Sequence, residues 1–550
     1  MRRVGIGLLV ALAVLAGFGW SRREAILMRL PGLVGRIVDP VGENVRVVWD
    51  RAPEDSVRAR DRPNVVLIVV DDLGWNDLTF AGGGVAGGAV PTPRIDSIAR
   101  DGVQFTRGYT GNATCAPSRA AILTGRHPTR YGFEFTPTGK ALARAFAWLR
   151  RDDPHPPIYH AELAATYPSR EEQGLPPAEI TLAELLRERG YHTVGLGKWH
   201  LGETDRFRPT AQGFDEYLGF LTGASMFLDP DDPEVVNAKQ PFDPIDRVLW
   251  ANLPFAVSKD GGPRFEPDAY MTDYLAREAA NAILSNRNRP FFLYLAFNAP
   301  HTPLQASKSD YDALSGIEDH TLRTYAAMIR ALDRGVGTVL DALRRSDLER
   351  DTLVVFTSDN GAPDYLGLEG LNAPYRGWKM TFFEGGIRTP FFARWPARIA
   401  PGTRSDRPAA HVDVFTTVAA AAGAPLPGDR AIDGVDLIAR LRGESTGRPH
   451  DALFWRSGHY RALLADDWKL QVSVRPQRTW LFDLAHDPTE RHDLAAERPE
   501  QVAALARRLA ELEQEMSEPL WPSLVEGTVA IDHTLAEPVA PGDDYVYWAN

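Results

Sequence analysis

Residues 64–72 read NVVLIVVDD. A run rich in β-branched side chains ends on two adjacent aspartates. An unbroken apolar run without alternation suits a strand buried on both faces of an α/β sheet. Thr193–Leu196, Phe291–Phe297 (FFLYLAF) and Thr352–Thr357 (TLVVFT) have the same character. Helical patterns lie between them. Thr181 and Glu184 make a capping box, Leu182, Leu185 and Leu186 form an apolar stripe, and Gly190 is placed to stop that helix. A longer helix is expected over 322–343, with Leu332, Val336, Val339 and Leu343 on one side. Strands alternating with helices predict an α/β fold: a large mixed β-sheet sandwiched by helices.

The pattern changes after about Gly443. Short strand-like pieces at 452–455, 461–464, 469–474 and 479–483 precede an amphipathic helix between Pro499 and Pro519. This predicts a smaller C-terminal antiparallel sheet plus helix. Residues 136–177 are rich in Arg, Pro and aromatics and weakly periodic. Such a stretch is either a functional lid or a surface insertion. Its Trp148, Arg150, Arg151, His155, Tyr159 and His160 could shape a pocket entrance. At the start, Arg2 and Arg3 precede an uncharged run, Val4–Trp20, and Arg22 and Arg23 follow. This reads as an export signal or an uncleaved anchor, and the two stay open. The expected organisation is 1–24 signal or anchor, 25–62 linker, 63–443 main domain, and 444–550 small α+β subdomain and tail. The body is expected to be exported, periplasmic or extracellular, touching membrane only through residues 4–20.

The 550 residues carry 61 basic and 73 acidic side chains, a net charge of −12. That argues against general nucleic-acid binding, which depends on phosphate neutralisation. Any bound anion needs a local cationic site. With 44% hydrophobic and 24% charged residues, the chain is ordinary globular stock. A single cysteine excludes an intrachain disulfide and a thiolate zinc site.

Four polar groups follow predicted strands, where ligands bind in open α/β sheets. They are Asp71-Asp72, Gly197-Lys198-Trp199-His200, Ala299-Pro300-His301 and Asp359-Asn360-Gly361. Three carboxylates and an amide oxygen suit a hard cation such as calcium or magnesium. The alternative is turn chemistry, since Asp, Asn and Gly favour loops. Lys198, His200 and His301 are suggestive by position only. Cys115 stands in Thr114-Cys115-Ala116-Pro117-Ser118-Arg119, where Pro117 opens a helix. A helix N-terminus stabilises a thiolate, and Arg119 could bind an anion bidentately. Three states of Cys115 stay open: inert thiol, thiolate nucleophile, or modified residue. Chemistry alone favours the inert thiol, because free cysteines are commonly buried.

Together these pieces resemble the sulfatase family, of the arylsulfatase type. The resemblance rests on Cys115-Ala116-Pro117-Ser118-Arg119 with Leu123-Thr124-Gly125-Arg126, and on Gly197-Lys198-Trp199-His200-Leu201-Gly202. It continues through Pro300-His301, Ser358-Asp359-Asn360-Gly361, Tyr375-Arg376-Gly377-Trp378-Lys379 and Glu384-Gly385-Gly386 with Arg388. Leu481-Phe482-Asp483-Leu484 and Asp487-Pro488 look like the family's small domain, so the likeness spans about 63–515. It implies an alkaline-phosphatase-like superfold, with 63–443 as the catalytic domain, and hydrolysis of aryl or carbohydrate sulfate monoesters. It implies that a separate maturation enzyme oxidises Cys115 to formylglycine, whose hydrated diol attacks sulfur and later expels sulfate. It implies that Asp71, Asp72, Asp359 and Asn360, joined by residue 115, ligate calcium, with magnesium the weaker candidate. Arg119 and Lys198 would support the diol, and Lys198 and Lys379 would grip sulfate. His200 and His301 would share the proton transfers, with His301 on the leaving-group side. A phosphonate or phosphate hydrolase of the same superfold is the rival. Relatives of that kind often carry Ser or Thr as nucleophile, or His where Asn360 stands, so Cys115 and Asn360 favour sulfate. Asn112-Ala113-Thr114 matches a glycosylation sequon but abuts the proposed nucleophile, so it is expected to be accidental.

Overall fold

The computed structural model describes residues 23–53, 62–442, 448–540 and 542–550. The apolar run 4–20 and the expected 443/444 boundary lie outside the described residues. Nine strands form the main sheet: β1 Asn64–Val70, β2 Val103–Phe105, β3 His192–Lys198, β4 Glu216–Phe220, β5 Ser258–Lys259, β6 Phe291–Ala296, β7 Thr352–Ser358, β8 Phe391–Arg394 and β9 Thr403–Ser405. Their order is β9-β2-β8-β7-β1-β6-β3-β4-β5. The five central strands, β7 to β4, run parallel, while β8 and β5 pair antiparallel with their inner neighbours. This is the mixed α/β sheet the apolar runs predicted.

Every residue of β1, β3, β6 and β7 is buried, because helices cover both faces. Val66, Ile68 and Val70 join one core with the Met271–Ser285 and His320–Arg345 helices. Val65, Leu67 and Val69 join a second core with the Cys115–Thr124, Leu182–Glu188 and Val412–Ala422 helices. The capping box forms as read: Thr181 Oγ1 accepts from the Glu184 amide, and Glu184 accepts from the Thr181 amide at 2.8 Å.

Register places the chemistry. Val70 lies beside Ser358, and Val69 beside Ala296, so Asp71 and Asp359 emerge side by side at one sheet edge. Gly197 also pairs with Ala296, which brings Lys198 to the same edge.

The C-terminal part is an antiparallel meander of β10 Leu453–Ser457, β11 Tyr460–Ala465, β12 Trp468–Val474 and β13 Gln477–Asp483, packed on the Pro499–Glu513 helix. Two stretches differ from expectation. The described part of the expected linker is ordered: Arg23–Val38 is helical, and buried Trp49 donates to Glu278 Oε2 at 3.0 Å. An indole with a buried carboxylate partner pins this segment to the core. The 136–177 insertion holds a helix, Lys140–Leu149, and a short strand, Ile158–Tyr159. That strand pairs with tail strand Val525–Ala530, which pairs in turn with Tyr545–Ala549.

Candidate functional site

Cys115 opens the Cys115–Thr124 helix, whose residues are all buried. Two contacts aim that helix. The Ser118 hydroxyl donates to His411 Nδ1 at 2.9 Å, and His411 Nε2 bonds Thr357 Oγ1 of β7 at 3.1 Å. The Gly111 amide also donates to Nδ1, so Nδ1 is the acceptor and Nε2 carries the proton. Burial pushes His411 down to about 3, so it stays neutral and serves as a strut.

The Cys115 Sγ lies 3.6 Å from Asp71 Oδ1 and 3.9 Å from Asp72 Oδ1. Burial pushes the thiol up to about 12; Lys198 and Lys379 oppose that rise, and Asp359 and Asp71 add to it. Of the three states open from sequence, burial thus disfavours the thiolate and agrees with the protonated thiol that chemistry alone favoured. Asn112 of the sequon is buried, and its Oδ1 accepts from Thr114, so it is closed to glycosylation.

The three carboxylates are paired with three buried cations. Lys198 Nζ meets Asp71 at 2.7 and 2.9 Å. Lys379 Nζ meets Asp72 Oδ1 at 2.7 Å. Arg119 donates through Nε and Nη2 to Asp359 Oδ2 at 3.0 and 2.7 Å. Burial disfavours ionising Asp71, yet Lys198, His301, Arg119 and Lys379 hold it below the ordinary carboxylate range. Burial and the neighbouring Asp71 raise Asp359 to about 6 against the pull of Arg119. Arg119 is thus spent on Asp359 and on holding the Lys198 carbonyl, rather than free to meet substrate.

Ligand atoms of Asp71, Asp72, Cys115 and His301 all lie within 4.8 Å of one another. Asp359 and Asn360 join them. Asp359 Oδ1 accepts from the Asp72 amide at 3.2 Å, and Asn360 Nδ2 donates to Asp72 Oδ1 at 2.7 Å. Asn360 Oδ1 is buried without a hydrogen-bond partner. An orphaned buried oxygen beside three carboxylates is a donor set that fits a hard cation.

The histidines flank this cluster. His301 Nδ1 donates to the Thr302 carbonyl at 2.6 Å, which turns Nε2 toward Asp72 Oδ2 at 3.6 Å. Burial lowers His301, with Asp71 and Asp72 opposing. Burial and then Lys198 hold His200 well below the ordinary range. The His200 ring fits only because Gly223 has no side chain: a Cβ there would lie 2.7 Å from His200 Nε2. Asp72, His200 and Met380 have positive φ without being glycine, so backbone strain gathers here.

The ten catalytic and metal candidates (Asp71, Asp72, Cys115, Arg119, Lys198, His200, His301, Asp359, Asn360 and Lys379) converge on this edge, whereas Tyr159 and His160 of the insertion pack against the tail strand instead. The sequence did not single out Tyr365, whose hydroxyl donates to Asp72 Oδ2 at 2.8 Å and accepts from Lys379 at 3.0 Å. It also did not single out His411 or Tyr294, which bonds Arg119. None of the three carries a local motif. Next to Tyr365, Asp364 lines a cavity of about 440 Å³ shared with Arg150, His155, Phe242, Arg247 and Tyr545. There the His155 ring stacks on Tyr545 at 4.0 Å.

A mixed sheet with the Cys115 helix, paired acids and buried cations gathered at one strand edge is an alkaline-phosphatase-like arrangement. Comparison with known proteins narrows the class. The family model described as Sulfatase matches residues 63–424, and one described as N-sulphoglucosamine sulphohydrolase, C-terminal, matches 376–517. The chain is 36% identical over 454 residues to steryl-sulfatase of Mus musculus, covering 71% of this chain and 67% of that protein. It is 33% identical over 507 residues to N-acetylgalactosamine-6-sulfatase of Homo sapiens, covering 84% and 87%. The crystal structure of Ps i-CgsB superposes with a TM-score of 0.69 at 32% identity, covering 84% of this chain and 94% of that one. The chain belongs to the sulfatase family and is an enzyme that hydrolyses sulfate esters.

Proposed function

We propose that the enzyme is a formylglycine-dependent sulfatase acting on aryl or carbohydrate sulfate monoesters, with residue 115 as the nucleophile. The observation that carries this reading is Cys115 itself. It is a buried lone thiol, held protonated, facing two carboxylates at the mouth of a cationic cluster. As a thiol it is a poor nucleophile. Oxidised by a maturation enzyme to formylglycine, it would supply a geminal diol with one hydroxyl to attack sulfur and a second to release the sulfate. A divalent cation, calcium before magnesium, would be held by Asp71, Asp72, Asp359, Asn360 and residue 115 and would neutralise charge on the sulfate oxygens.

The chain's own residues do the rest. Three buried carboxylates face three buried cations, so the cluster is balanced as it stands. A dication and an anionic substrate arriving together keep it near balance, which limits the desolvation penalty. Lys198 and Lys379 are the flexible cations, able to turn from their aspartates to sulfate oxygens. Arg119 fixes Asp359 and the Lys198 backbone. His301 presents Nε2 for the leaving oxygen, and His200 serves the diol side.

The organisation we propose is a catalytic domain over 63–443 and a small subdomain with tail over 444–550, in an exported protein that residues 4–20 tether or release. The insertion 136–177 forms one wall of the cavity beside Tyr365, with room for the remainder of a glycan substrate. A solved relative, Ps i-CgsB, has been determined with k-i-k-neocarrahexaose, which supports the carbohydrate side of this reading. The test is hydrolysis of a chromogenic aryl sulfate by the wild type and Cys115→Ala, with mass analysis of tryptic peptide 108–119. Aldehyde in the wild-type peptide and loss of turnover in the variant are expected. An unmodified thiol in active protein, equal activity of the variant, or faster turnover of an aryl phosphonate would overturn the reading.

A further inference from the structure

Thirteen large apolar side chains are exposed among the described residues, and seven of them lie between residues 30 and 48. Five sit on the Arg23–Val38 helix: Leu30, Leu33, Val34, Ile37 and Val38. Their spacing, i, i+3, i+4, i+7 and i+8, puts them on one face. In a helix of a water-soluble domain that stripe faces the core. Here it faces outward: Leu33 is 53% exposed and Ile37 81%.

The side turned to the body is glycine. Gly32 lies two residues from both Leu30 and Val34, on the opposite side of the helix. Its amide donates to Asn252 Oδ1 at 2.6 Å, and a Cβ there would lie 2.7 Å from the Ala251 carbonyl oxygen. The following residues lock this orientation. Asp39 pairs with Arg264 at 2.7 Å, the Gly42 amide donates to the Arg264 carbonyl at 2.9 Å, and Trp49 is buried. Val45 and Val48 extend the apolar surface beyond the helix. The helix is therefore fixed with its greasy face out.

Two features say what covers it. The apolar run Val4–Trp20 ends three residues before the helix begins, so the surface continues the one segment whose sequence suits a bilayer. Residues 21–51 also hold six arginines against four acidic residues, a net +2 in a chain of −12. Exposed Arg29 and Arg36 flank the stripe, where long cationic side chains reach lipid phosphates.

We propose that residues 30–48 form a membrane-seating surface, with the helix lying in the plane of an anionic bilayer and its apolar stripe in the headgroup–acyl boundary. This goes beyond a tether by residues 4–20, because it fixes how the catalytic domain sits against the lipid. It does not depend on the catalytic reading.

The test uses the full chain with Cys115→Ala, so that Ile37→Cys or, as control, Leu426→Cys is the sole thiol for an NBD label. Vesicles of phosphatidylcholine and phosphatidylglycerol are added. At position 37 the label should shift to the blue, iodide quenching should fall about threefold or more, and shallow nitroxide lipid should quench it. Position 426 should not change. A second readout avoids the label: amide exchange over 29–48 should slow on vesicles in the wild type but not in Leu33→Glu/Ile37→Glu. Protein that sediments with vesicles while position 37 stays as open to iodide as 426 would overturn the proposal. So would shielding of position 37 without lipid in a species of doubled mass, which would make the cover a second copy of the chain.

Discussion

If His301 protonates the leaving oxygen, His301→Gln must damage the reaction in proportion to how much the leaving group needs a proton. The geometry sets this up. Nδ1 is committed to the Thr302 carbonyl at 2.6 Å, so only Nε2 faces the site. A positioned general acid contributes roughly 10²–10⁴-fold where proton transfer is needed. An alkyl or sugar sulfate expels a basic alkoxide and should lose about that factor in kcat. A 4-nitrophenyl sulfate expels a stable anion and should lose less than about tenfold. The assay is a series of aryl sulfates with phenols of graded acidity, plus one alkyl sulfate. The variant should show a steeper dependence of kcat on leaving-group acidity than the wild type. The pH profile adds a check: burial lowers His301 against the pull of Asp71 and Asp72. Its protonated fraction therefore declines as pH rises through a value below the ordinary ~6.5. Turnover of poor leaving groups should then fall with rising pH earlier than that of 4-nitrophenyl sulfate. An equal loss across the whole series would refute the assignment and move the leaving-group role to His200.

Three further outcomes are expected. Tyr365→Phe removes hydrogen bonds to Asp72 and Lys379 and should lower kcat/KM about 10- to 100-fold, as bonds to charged groups are worth ~1.5–3 kcal/mol; an unchanged value would make Tyr365 a bystander. A chelator should lower the thermal midpoint and added calcium should restore it, since a ligand at 100 times its Kd adds about 2.7 kcal/mol; a midpoint indifferent to both would count against a bound cation. Lys469 is fully buried between Glu384 and Glu490 at 2.9 Å each, so Lys469→Met should destabilise by about 3–5 kcal/mol in urea unfolding followed at the C-terminal meander. In the wild type, burial opposes ionisation of Glu384 but Lys469 and Arg388 lower it, so its stabilisation is present above the ordinary ~4.5 and lost as pH falls. Burial raises the neighbouring Glu490 to about 7 in the wild type, so stability already falls as pH rises toward 7; without Lys469 both buried carboxyls rise further, and the fall between pH 5 and 8 should steepen; an unchanged slope would contradict the ion pairing.

The parts legible in sequence are those where one local pattern determines one outcome. NVVLIVV reads as a strand covered on both faces, as it is, but only the observed parallel pairing of β1 with β7 places Asp71 beside Asp359. The Thr181 capping box is likewise local. Tyr365 was not legible because its role comes from a short irregular turn, Asp364–Leu366, brought onto Asp72 from nearly 300 residues away. The same holds for His411, whose ring is read only once the Cys115 helix lies on β7. The pairing of Ile158–Tyr159 with Val525–Ala530 joins an insertion to a distant tail, and neither stretch announces the other. The state of Cys115 stays open in sequence for a related reason. A helix terminus is visible in sequence, whereas the burial that overrides it is not.

The site also defies local preference where it matters most. Asp72, His200 and Met380 sit in the left-handed region, each at a cost of order 1–3 kcal/mol. Each strained residue aims or follows a charged or titratable group: Asp72 itself, His200 itself, and Lys379 ahead of Met380. Backbone ties over-determine them. The Asp72 amide is held by Asp359 Oδ1, the His200 amide by the Leu221 carbonyl at 3.1 Å, and the Met380 amide by the Ala113 carbonyl at 2.9 Å. The last of these ties the Lys379 loop to the chain just before Cys115, so Lys379 and residue 115 share one anchor. Strain and buried charge of this size need a large core to offset them, and the two apolar layers on the nine-stranded sheet supply it. Relaxing one of these turns should therefore stabilise the fold and weaken catalysis together. Met380→Gly against Met380→Ala is the fair comparison, since both lose the Met380 packing on a third apolar core and only glycine takes positive φ without steric strain, with Lys379 left in the chain. A higher unfolding midpoint with reduced kcat is expected of the glycine variant relative to the alanine one. A higher midpoint with unchanged kcat would mean that the strain at this position does no catalytic positioning.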